Sequence, residues 1–384
     1  MKKFALLLPL FLILCSCIKN NGLSSSSSEN SQQLTSSPYR NSLCLKDENG
    51  DDIPFFGADP DIIKGDDGYY YLYTSEQYVN VPKRGRMLDR CPTYRSRDMV
   101  NWTYCSSVFL DQAVDLNSFC YPDVGIWAPS INYFNGQYYC YYSIGYGWTA
   151  GDNHLEYCGI GLATSLNPYG PWTHYGKLFD SKECGVPVSI DPFAFQKEDG
   201  KIYLFWGSYN GIYAVEMTID GLEVIDLEKK IEIVDPTPSL SESYEGIYIF
   251  KKDDTYYFSG SRNGFGGGLH SRYDVASGYA SSLLGPYKDS TGHDLFGGGD
   301  LVIEGDFEDE YGLRGTGHHA IIQDEIGDYW IIYHCYDPRC PVANERTICI
   351  DKLIFEDNHT FHTENYVGSN TVKNGPKVEV YAHE

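Results

Sequence analysis

The sequence predicts an all-β protein, and within that class a five-bladed β-propeller. Three observations lead there. A hairpin-like unit of two aromatic and β-branched runs around a polar turn occurs five times, at 58–75, 128–143, 189–208, 245–261 and 318–335. The turns fall near Asp67, Asn135, Asp199, Asp254 and Gly327, at spacings of 68, 64, 55 and 73 residues. Such repeats in strand-forming sequence imply blades that each keep one hairpin and vary the loops between. The 34 Tyr and 39 Gly, with little helical periodicity, suit strands and turns.

The chain begins with a different kind of segment. Met1–Cys17 carries two lysines and then an apolar run that is short for a bilayer span, the pattern of an export signal. Leu14-Cys15-Ser16-Cys17 resembles a bacterial lipoprotein signal, which implies acylation of Cys17 because small Ser16 precedes it. Residues 18–42 are rich in Ser with almost nothing apolar to bury, and read as a flexible tether. The expectation is an exported bacterial lipoprotein held at the cell envelope by its lipid alone. Residues 43–384 contain no second linker and read as one propeller domain, expected to be monomeric.

A net charge of −24 argues against nucleic-acid binding through phosphates. Cys335 and Cys340 are the nearest cysteine pair outside the leader. No second ligand pair accompanies them, so a loop disulfide or free thiols are expected rather than zinc. Gly264–Gly268 lacks the strand–loop–helix context and Lys-Ser/Thr ending of a phosphate loop, and reads as a mobile loop. His318 and His319, adjacent on a strand, should face opposite ways, so one of them at most reaches the axis.

Aligning the repeats brings out the chemistry. Counting back nine residues from Gly68, Gly200, Asp254 and Gly327 reaches Asp59, Asp191, Glu245 and His318. Counting back eight from Gly136 reaches Ala128, beside Trp127. If each repeat opens the innermost strand of a blade, three carboxylates and a histidine converge at one end of the axis. Glycoside hydrolysis needs two carboxyl groups in opposite protonation states, and a third nearby would keep the acid protonated.

At these residues the chain resembles glycoside hydrolase family 43, five-bladed propellers that include arabinanases, α-L-arabinofuranosidases and β-xylosidases. Asp59-Pro60-Asp61-Ile62-Ile63 is similar to that family's opening motif, which implies that Asp59 is the general base. Ser189-Ile190-Asp191-Pro192 resembles the segment whose Asp tunes and orients the acid. Tyr244-Glu245-Gly246-Ile247-Tyr248 resembles that of the general acid, with Ile247 in place of a common proline. Gly315-Thr316-Gly317-His318-His319 is similar to a stretch whose histidine often belongs to the shell of one central calcium, Ca2+, so His318 is the expected metal residue. No organic cofactor is implied.

Gly125–Ser130, with its Trp-Ala-Pro, resembles arabinanases, as do Gly207–Ile212, Ser281–Tyr287, Leu301–Gly305 and Tyr333-His334. The resemblance implies single-step inverting hydrolysis of an arabinose- or xylose-containing oligo- or polysaccharide, with arabinan-type substrates favoured. Trp127 is either a sugar platform or core packing between blades. A β-xylosidase of the same family and a non-catalytic sugar-binding propeller stay open. A retaining fructan-active relative would carry an Arg-Asp-Pro segment, but Ile190 precedes Asp191 here.

Overall fold

The computed structural model describes residues 34–109, 125–145, 158–236, 243–296, 298–342 and 344–379. The leader, Cys17 and residues 18–33 lie outside them. Strands dominate, as expected, and the α-helix among the described residues is one turn, Ser181–Cys184. It is fixed by a capping box in which Asp180 accepts from the Glu183 N–H while the Glu183 carboxylate accepts from that of Asp180.

Five antiparallel sheets follow one another along the chain. Blade I holds Asp61–Lys64, Tyr70–Tyr73, Pro92–Ser96 and Asn101–Ser107. Blade II runs Gly125–Phe134, Gln137–Gly145, Gly159–Ser165 and Thr173–Asp180. Blade III holds Phe193–Gln196, Ile202–Trp206, Ile212–Glu216 and Ile231–Val234. Blade IV comprises Glu245–Lys252, Thr255–Arg262, Asp274–Ala280 and Asp300–Ile303. Blade V has three strands, Arg314–Gln323, Tyr329–Tyr336 and Thr347–Lys352.

The core is distributed in five clusters, one at each seam between neighbouring blades. Tyr71 and Tyr73 of blade I meet Ile131 and Tyr138 of blade II. Ile160 and Leu162 meet Leu204 and Trp206 across the II–III seam, and Phe205 meets Ile249 and Phe258 across the next. Phe250 and Tyr257 pack on Ile331 and Tyr333, and Ile332 and Ile350 pack on Leu72 and Trp102 to complete the circle. Sheets covered on both faces have no polar side, so Ile202–Trp206 is buried at every position. Large flat tyrosines suit seams that widen outward.

The ring closes through the first residues of the body. Leu43 donates its N–H to the Ile348 carbonyl at 2.9 Å, and Ile348 donates to that of Phe55 at 3.0 Å. Asn41 bonds both backbone groups of Ile350 through its side chain. The neighbouring strand Cys44–Lys46 runs parallel to Asn101–Ser107 of blade I. Leu34–Thr35 pairs with Val378–Glu379, and Pro38–Tyr39 with Lys373–Asn374. The folded body therefore includes residues 34–42, which the sequence reads as tether. Residues 34–42 are too polar to signal a core, and their partners lie at the opposite end of the sequence.

The expected convergence at one end of the axis is present, with one change of register. Asp59, Ala128, Asp191, Gly246 and His318 all have positive φ, between 42 and 59°, so each blade carries the same left-handed kink within or just before its innermost strand. Glu245 therefore sits one residue before the kink of blade IV, level with Trp127 rather than with Asp59. The hairpin of blade IV turns at Asp253-Asp254 and, like that of blade II, is one residue shorter than the others.

Candidate active site

The kinks are stitched together by a repeated hydrogen bond. At each, the backbone N–H of the kinked residue reaches a side chain at the end of the preceding blade's second strand. Ala128 donates to Ser75 at 2.8 Å, Asp191 to Ser143 at 2.8 Å, and His318 to Ser261 at 2.7 Å. Asp59 donates to His334 Nδ1 at 3.2 Å, so histidine replaces serine at the seam between blades V and I. The pattern breaks at the III–IV seam. There Ser208 instead donates to Glu245 Oε2 at 2.7 Å, and the Gly246 N–H reaches Asp191 Oδ2 at 3.1 Å.

Asp59 is buried beside three nitrogen-bearing side chains. Its Oδ1 lies 3.1 Å from Arg346, 3.2 Å from His318 Nδ1 and 3.3 Å from His334 Nδ1, and its Oδ2 accepts from Ser75 at 2.5 Å. Burial opposes its charge, but Arg346 first and then His318 hold the carboxyl well below the usual range. His334 is pushed down to about 4, mainly by burial and then by Arg346, so its ring is neutral at pH 7.

Asp191 has the opposite environment. Burial first, then Glu245 and Asp59, raise its carboxyl well above the usual range. Glu245 is surrounded by hydroxyls: Tyr209 and Tyr273 each donate to Oε1 at 2.7 Å, and Ser208 to Oε2. The three acids are thus near enough to feel one another, yet one is held by a guanidinium and one by hydroxyl groups. Asp61, the second acid of its motif, lies deeper and ties blade I to blade II by accepting from the Ile131 N–H at 2.7 Å. Burial pushes it up to about 7.

Tyr273 bridges the two sides of the cluster. Its hydroxyl is on Glu245, and its ring stacks on His334 at 5.6 Å and 11°. The ring fits because residue 317 is glycine; a Cβ there would lie 2.3 Å from Tyr273. His318 faces Asp59, whereas His319 turns away to Ser259 at 2.7 Å, as strand alternation requires. Trp127 is half-buried, packed against Gly125 and Gly145, and held by Glu76.

Arg346, His334, Tyr209 and Tyr273 carry the site without having been singled out by sequence. His334 and Tyr209 lie inside stretches with a family likeness, but neither falls in the hairpin register. Arg346 and Tyr273 sit on loops, where nothing in the local pattern marks them. Cys335 faces Cys349, with the sulfurs 3.1 Å apart, rather than Cys340, because neighbouring strands bring the first pair together. Cys335, Cys340 and Cys349 are all free thiols.

A propeller with three buried acids gathered at one end of its axis, in contrasting environments, is the architecture of a glycosidase. The family model for glycosyl hydrolases family 43 matches residues 53–361, and the chain belongs to that family. It is 28% identical over 323 residues to an extracellular endo-alpha-(1->5)-L-arabinanase of Bacillus subtilis, covering 79% of this chain and 87% of the relative. It is also 28% identical over 268 residues to an extracellular exo-alpha-(1->5)-L-arabinofuranosidase of Cellvibrio japonicus, covering 64% and 72%. The structure resembles an exo-1,5-alpha-L-arabinanase from a bovine ruminal metagenomic library with a TM-score of 0.66 and 25% identity, over 80% of this chain and 97% of that one.

Proposed function

We propose that this glycosidase hydrolyses α-L-arabinofuranosyl linkages of arabinan or arabino-oligosaccharides with inversion. The observation that carries the reading is the contrast between Asp59, held ionised beside Arg346, and Asp191, whose proton burial first and then the neighbouring Glu245 and Asp59 retain. Glu245 gives its proton to the glycosidic oxygen as the bond from that oxygen to the anomeric carbon breaks. A water oxygen attacks that carbon from the opposite face, and Asp59 takes the proton the water releases. Asp191, bonded to the Gly246 N–H, orients the acid's strand and keeps the pair protonated. Trp127, half-buried near the acids, supplies a sugar platform. The arabinan preference is supported by the names of the relatives.

The test is hydrolysis of linear and branched arabinan, arabino-oligosaccharides, xylan and aryl xylosides, with the first-formed anomer read by NMR. Release of the inverted arabinose anomer is expected. A higher kcat/KM on xylosides would replace the substrate, and a retained anomer would replace the mechanism.

We propose further that Cys17 anchors the protein by a lipid, a reading supported by the leader sequence. A calcium ion near the axis would touch His318. Among the described residues no three His, Cys, Asp or Glu side chains form a ligand set, and the cavity beside His318 is about 20 Å3. Those donors suit a hard cation held by one imidazole and water, and suit zinc or copper poorly. Bound there, calcium would supply positive charge near Asp59; no step is assigned to it. A higher Tm with added calcium, lost on chelation, is the expected sign.

A further inference from the structure

The glycine-rich loop Gly264–Gly268 joins two strands of blade IV and is anchored in place. Ser271 donates to the Gly264 carbonyl at 3.2 Å, and Tyr336 of blade V donates to the Phe265 carbonyl at 3.0 Å. At Gly268, where φ is +57°, a Cβ would lie 1.8 Å from Asn344 Oδ1, so the loop meshes closely with the blade V loop that carries Arg346. Between the two loops the Phe265 ring lies against the Arg346 guanidinium, 5.1 Å from centroid to Cζ. The same ring meets Tyr273 edge-on at 6.4 Å and 76°.

That arrangement places three groups in a row: the Phe265 ring, the Arg346 guanidinium and the Asp59 carboxylate, the last two 3.1 Å apart. A guanidinium on a long stem has several rotamers open to it, and a ring face across from the carboxylate narrows them. We propose that Phe265 is a positioning residue for the hydrolysis: its ring holds Arg346 against Asp59, so a loop of blade IV sets the charge facing a base on blade I. This rests on the role of Asp59 given above. The glycines follow from the role, since the loop must bend tightly to set one ring beneath an arginine of the next blade.

The test is a double-mutant cycle read as kcat/KM on an arabino-oligosaccharide, with the Tm of each variant as a folding control. Phe265→Leu keeps apolar bulk but loses the aromatic face, and is expected to cost roughly 3- to 30-fold, the range of a cation–π contact. Phe265→Trp keeps a ring face and is expected to retain activity within a few-fold. With Arg346→Ala already present, Phe265→Leu should cost less than about 2-fold, because coupled neighbours are not additive. Full activity in Phe265→Leu, or equal losses with and without Arg346, would overturn the proposal; the second result would point to direct substrate contact. If Asp59→Ala retained activity while the coupling persisted, the base assignment would fall and the clamp would stand.

Discussion

Removing the hydroxyl of Tyr273 should weaken Glu245 as an acid, and both sign and size can be worked out. Tyr273→Phe keeps the ring stacked on His334 and against Phe265, and deletes one of three hydroxyl donors on Glu245. Donors to a carboxylate favour its charged form, so losing one makes the proton harder to release. A hydrogen bond to a charged group contributes about 1.5–3 kcal/mol, which at 1.36 kcal/mol per tenfold is roughly 10- to 150-fold in rate where that charge develops. Tyr209 still donates to the same oxygen, so the lower end of that range, about 10-fold, is expected. The loss should fall on the step in which Glu245 gives up its proton to the leaving group. On the plateau, kcat/KM for oligosaccharides should fall, while an aryl arabinoside, whose leaving group needs little protonation, should be nearly unaffected. Equal losses on the two substrates, or no loss on the oligosaccharide, with Tm unchanged, would refute the argument.

Asp191→Asn should move the alkaline limb of the kcat/KM profile downward by removing a neighbouring negative charge, the shift belonging to the coupled pair. It should also raise Tm at pH 7: a folded pKa above the unfolded one means stability falls as pH rises through that interval, and the variant escapes the loss. The Tm gain should shrink as the pH approaches about 4, and a gain independent of pH would count against the carboxyl as its source. Glu245→Ala should lose far more activity on oligosaccharides than on aryl glycosides, whereas Asp59→Ala should be crippled on both; the reverse pattern would exchange their labels. Cys17→Ala should shift the protein from membrane to soluble fractions, and unchanged partitioning would remove the lipid anchor.

The parts of this molecule that sequence reveals are those with a local period. Each hairpin announces itself by alternating dense and polar stretches, so five blades and the acids at their starts can be found by counting from the turns. Counting fails where a turn changes length without changing composition. Asp253-Asp254 looks like any polar turn, yet its brevity moves Glu245 one place off the kink. The partners of the acids are harder to find, because Arg346 and Tyr273 owe their positions to loops whose conformation depends on the next blade. Residues 34–42 show the same limit: their strands exist only through partners at the other end of the chain.

That last pairing has a consequence for how the body assembles and fails. Ser36 bonds the Gly375 carbonyl 339 residues away, so the closing contacts have very high contact order. Four seams can form as successive blades appear, but the fifth needs both ends, and it should be the slowest to form. Blade V, with three strands of its own, would meanwhile present the edge strand Thr347–Lys352 to solvent. An uncovered edge pairs readily with other chains. Loss of the terminal segments should thus appear first as association between partly closed rings, before any loss of the blades themselves.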